Sequence, residues 1–102
     1  MLDETGLIAF TQELIRRKSV SGGEEAVTRL VSERLRALGF DEVWVEDFGT
    51  VVGSVHGAGH PRGRQILFDA HIDTVDVSSP EQWTRSPFGG GIGEPADLRA
   101  WE

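Results

Sequence analysis

The sequence predicts an α/β fold. Three observations carry this: two stretches of helical periodicity at the start, two short alternating runs after them, and one continuous apolar run that suits a covered strand. Residues 3–17 place Leu7, Phe10 and Leu14 along one stripe, with Ile8 and Ile15 beside it, which predicts a helix. "SVSGGEE", residues 19–25, breaks that pattern at Gly22 and Gly23. Ser21 reads as the N-cap of a second helix, with Glu24 three residues on as its capping-box partner. Val27, Leu30, Val31, Leu35 and Leu38 form that helix's apolar face, and Gly39 ends it. "DEVWVEDFG" alternates, with Val43 and Val45 on one face and Trp44 on the other, and reads as a strand. "TVVGSVHG" reads as a second strand, reached through a tight Phe48-Gly49 corner. "QILFDAH", residues 65–71, reads as a third and central strand, because consecutive apolar residues need cover on both faces. The order is helix-helix-strand-strand-strand.

Composition narrows the function classes. At 102 residues the chain is at most one domain of common size. Its formal charge is -7, which disfavours nucleic acid and anionic membrane surfaces as partners, since both need a basic footprint. There is no cysteine, so any metal must be held by nitrogen and oxygen. No apolar run approaches a membrane span, and the acidic N-terminus lacks a signal-peptide pattern. A soluble cytoplasmic protein is the expectation. Arg16, Arg17 and Lys18 read as helix-end charges favoured by the dipole, and Glu24 and Glu25 as their counterparts at a helix start.

The chemistry gathers where the third run ends. Ile66-Leu67-Phe68 stops at Asp69, and His71 and Asp73 follow. In open α/β sheets, ligand sites lie beyond the carboxyl ends of strands. In extended chain, residues i and i+2 point the same way, so Asp73 can sit beside the His71 ring or face the same cavity. An imidazole held by a carboxylate is a common arrangement at metal sites. His-x-Asp also arises by chance, as an exposed histidine beside a solvated acid, so the triplet alone leaves both readings open.

The wider stretch is more specific. His71-Ile72-Asp73-Thr74-Val75, then Trp83-Thr-Arg-Ser-Pro87-Phe88, resembles the first metal-binding motif of the M20 family of zinc-dependent peptidases and deacylases. "RRKSVSGGEE" is similar to that family's entry to its second helix. "EDFGTVVGSVHG" is similar to its hairpin, with Thr50 where the family usually has asparagine. The resemblance covers about residues 4–90 and implies the N-terminal part of a zinc-peptidase-like, three-layer α/β/α catalytic domain. It implies a metal-dependent hydrolase of amide bonds, acting on N-acyl amino acids or small peptides. It implies His71 as a zinc ligand and Asp73 as the catalytic-site carboxylate that orients it, in a site that holds two zinc ions when complete. The family's bridging aspartate, paired glutamates and later histidine have no counterpart here, so the resemblance implies an inactive isolated chain. The alternative is a non-catalytic α/β interaction module or pseudoenzyme. Either way, association of copies through an exposed sheet is expected.

The remaining candidates have plainer readings. Asp69 reads as a solvated strand-end carboxylate, Asp76 as a loop cap before Ser78, and His56 and His60 as solvent-facing loop residues. Trp83 and Phe88 read as cover for a sheet edge, or else as a pocket lining. After Gly90 the resemblance stops, and residues 91–102 form a divergent tail. Codons can be chosen for Asp97–Glu102 that give Ile-Tyr-Gly-Arg-Gly, the family's next motif, when read one base later. A one-base frameshift between about Gly90 and Pro95 and an ordinary divergent tail are both compatible with this.

Overall fold

The computed structural model describes residues 3–59 and 63–93. It is α/β, with two helices and one two-stranded antiparallel sheet. The chain divides into two compact units. One comprises the described residues up to Arg17 with those from Val77 onward, and the other is Lys18–Asp76.

In the first unit, helix α1 spans Glu4–Ile15. Asp3 caps it, its carboxylate accepting from the Gly6 amide at 2.9 Å. The expected apolar stripe buries only in part: Phe10 and Leu14 are half-covered and Leu7 is exposed. The C-terminal end is tied down by side chains: Gln12 Nε2 donates to Gly90 O at 2.9 Å, and Arg16 Nε to Gly89 O at 3.2 Å. A single 3-10 turn, Pro80–Gln82, precedes Trp83.

The second unit carries the small core. Helix α2 spans Glu25–Ala37 and packs on strands β1, Glu42–Val45, and β2, Val51–Ser54. Val27 is 2% exposed and Leu30 9%, so the expected apolar face does point inward. Leu38, expected on that face, lies past the last helical residue and is exposed. Gly39 takes φ +82° there, the left-handed geometry that ends helices. The two strands pair in register from Glu42 with Ser54 to Val45 with Val51. The corner between them closes through Glu46 N to Thr50 O and Gly49 N to Glu46 O, both 2.8 Å, with Gly49 at φ +87°. Thr28 Oγ1 donates to Gly49 O at 3.3 Å, fixing that corner to α2. Gly53 lets β2 come close to Leu35 and Phe40, since a Cβ there would lie 2.9 Å from carbons of both.

Two expectations are corrected. Residues 65–71 run without strand pairing, and Ile66, Leu67 and Phe68 are 80%, 88% and 90% exposed. A central strand needs neighbours on both sides, and among the described residues no strand lies beside this run. Ser21 is not the N-cap of α2. Glu24 holds that position, and its carboxylate accepts from the Gly22 amide at 2.9 Å. Residues 94–102, and with them the tail reading, lie outside the described residues, as does His60. No described helix is long and apolar enough to cross a membrane.

Candidate functional site

The structure brings His71 and Asp73 together. His71 Nδ1 lies 2.9 Å from the Asp73 carbonyl oxygen and 3.2 Å from its Oδ1. The ring is exposed and the carboxylate partly covered, with side-chain exposures of 87% and 44%. When Nδ1 carries the proton it donates to Asp73, and Nε2 is then the lone-pair nitrogen, the one a metal would take.

A short tether positions the pair. Residues 18–21 lie alongside 73–76, with an isolated parallel bridge between Val20 and Thr74. The Thr74 amide donates to Ser19 O at 2.8 Å, and the two hydroxyls meet at 3.3 Å. Ser19 is buried at this junction. Ser21 Oγ donates to Asp73 Oδ2 at 2.8 Å. Lys18 Nζ pairs with Asp76 Oδ1 at 3.2 Å. The hydrogen bond from Ser21 holds the Asp73 carboxyl below its ordinary value. Partial desolvation opposes that shift, and the nearby His71 charge supports it.

Two other candidates face solvent. Asp69 is exposed two residues before His71. His56 is exposed, its Nε2 3.5 Å from Glu42 Oε2 and its amide donating to Asp41 Oδ2 at 2.6 Å. Among the described residues no three histidine or carboxylate side chains gather as a metal cage. The pair therefore fits zinc only as one ligand with its orienting carboxylate, short of the three protein ligands a catalytic zinc usually takes. In the first unit, Trp83 lines an open cavity of about 380 Å³ with Ile15, Arg85, Pro87 and Gly89–Gly91. Its indole Nε1 donates to Ser78 O at 3.4 Å. Phe88 is partly exposed nearby in sequence and does not line the cavity.

Sequence reasoning missed Ser19, Ser21 and Thr74 as supports of the pair. The usable signal was the alternation Ser19-Val20-Ser21, which sends both hydroxyls to one side of an extended segment.

The chain is similar to a desuccinylase. It is 37% identical over 86 residues to succinyl-diaminopimelate desuccinylase of Paraburkholderia xenovorans (strain LB400). The match takes in 82% of this chain and 23% of that relative, so the chain spans about a quarter of the length of the curated protein it matches. No family model matches, and no solved structure matches. The similarity supports a resemblance to hydrolases of the desuccinylase kind.

Proposed function

We propose that this chain is the N-terminal part of an M20-type, metal-dependent amidohydrolase of the cytoplasm, and that residues 1–90 are the N-terminal portion of its catalytic domain. The observation that carries this reading is the His71–Asp73 pair, in a chain similar over most of its length to a desuccinylase. His71 Nε2 is the zinc ligand. Asp73 holds Nδ1 and so fixes which nitrogen faces the metal. Zinc, when bound, would supply Lewis-acid polarisation and a water of lowered pKa. Substrates of the complete protein would be N-acyl amino acids or small peptides. Three consecutive apolar residues, Ile66, Leu67 and Phe68, stand open here, and in a complete three-layer fold they would be covered. That same open run favours the second reading, a non-catalytic interaction module.

Zinc titration of the 102-residue chain tests both. The expected result is weak binding that perturbs the His71 ring and disappears in His71→Ala. A chain whose His71 ring ignores zinc refutes the ligand role. One tightly held zinc per chain refutes the view that the site is only partly present. No hydrolysis of N-acyl amino acids is expected from the chain alone, since no general-base glutamate can be placed in it. Turnover that vanishes in His71→Ala would overturn this.

A further inference from the structure

We infer that Ser21 is a positioning residue: it fixes the Asp73 carboxylate, and through it the orientation and tautomer of the His71 imidazole. The geometry divides the two carboxylate oxygens between two partners. Oδ2 accepts from the Ser21 hydroxyl at 2.8 Å, and Oδ1 faces His71 Nδ1 at 3.2 Å. A carboxylate held at one oxygen by a hydroxyl cannot turn freely, so its second oxygen stays aimed at the ring. The main chain is secured separately. Ser19 O accepts from the Thr74 amide at 2.8 Å, which places the Asp73 carbonyl 2.9 Å from the same Nδ1. Ser19 is buried and anchors the strand-like segment, whereas Ser21 is exposed and does not form part of the core. Removing the Ser21 hydroxyl therefore removes one tie and leaves the other.

The chemical consequence is selection of a tautomer. With Nδ1 facing two acceptors, the neutral imidazole keeps its proton on Nδ1 and presents Nε2 as a base or ligand. Without Ser21 the Asp73 side chain is released into solvent, one of the two acceptors is lost, and the proton moves in part to Nε2. The inference rests on the proposed ligand role only for what Nε2 then does.

Long-range proton–nitrogen NMR of the 102-residue chain, taken above about pH 8 where an ordinary imidazole is neutral, reads the tautomer at each histidine. The expected result is a predominantly Nδ1–H imidazole at His71 in the wild type. Ser21→Ala shifts it towards Nε2–H, Ser21→Thr restores it, and His56 stays constant throughout. An unchanged His71 in Ser21→Ala overturns the inference. So does a change at His56 that matches the one at His71, since a positioning role is local. Adding zinc separates this from the ligand reading. If the tautomer responds to Ser21→Ala while zinc never perturbs His71, the ligand role falls and the positioning role stands. If zinc perturbs His71 but the tautomer ignores Ser21→Ala, the positioning role falls alone.

Discussion

Gly53→Ala should destabilise the second unit, although alanine is the better strand residue. An added Cβ meets Leu35 Cδ1 at 2.9 Å, Phe40 Cδ2 at 2.9 Å and Phe40 Cε2 at 3.2 Å. Carbon pairs settle at about 3.5–4.0 Å, so something must move by roughly 0.5–1 Å. Both neighbours must give way: the Leu35 methyl has to leave its packed position, and the stiff Phe40 ring has to shift as a body. Relief of glycine's backbone entropy favours the variant by about 0.5–1 kcal/mol. Overpacking of this kind costs about 1–3 kcal/mol. The steric cost wins, leaving a net loss of about 1 kcal/mol or slightly more. With a urea slope near the ~1–2 kcal/mol/M of small domains, the midpoint falls by roughly 0.5–1 M. Far-UV circular dichroism follows α2 through the transition. Gly39→Ala is the useful contrast, since its Cβ meets nothing within 4 Å and its cost comes from φ +82° alone. Adding Leu35→Ala should relieve Gly53→Ala and leave the Gly39→Ala cost unchanged, a coupling that a double-mutant cycle resolves. A Gly53→Ala chain as stable as wild type, or strict additivity with Leu35→Ala, would refute the close-packing argument.

Leu30→Ala should cost about 2–3 kcal/mol by urea unfolding, the low end for a core leucine, because so little surrounds it that is fully buried. The Asp73 carboxyl should titrate below the ordinary value of 3.8 in carbon NMR, and Ser21→Ala should raise it. A depressed folded-state pKa means that the stabilisation is complete above 3.8 and fades as pH falls through the lower folded value. A midpoint at or above 3.8 would count against the Ser21 bond as its cause. The exposed Ile66-Leu67-Phe68 run should drive concentration-dependent association, visible in sedimentation. Leu67→Lys should reduce it, and a wild-type monomer at all concentrations would count against that.

Local pattern carried the two helices and the hairpin. The spacing of Val27 and Leu30 marked the inward face of α2 because core contact there depends on helical period alone. Gly39 and Gly49 marked an end and a corner because both need positive φ. The third run failed for a non-local reason. Residues 65–71 have strand composition, but pairing needs a neighbour, and composition does not supply one. At the site, the His71–Asp73 pairing was legible from a two-residue separation. The Ser21 contact was not, since it spans 52 positions and competes with the capping role that the same residue suits locally.

The Thr74–Ser19 link has a consequence for amide exchange. Thr74 donates its N–H to Ser19 within a stretch that is otherwise outside any ladder. Its proton can leave only when that one bond opens, so Thr74 becomes a slow-exchanging island beside the fast amides of Ile66, Leu67 and Phe68. The exchange rate at that single amide therefore reports the opening free energy of the junction that carries His71 and Asp73. It does so separately from the unfolding of α2 and its hairpin, whose amides are locked by their own pairing.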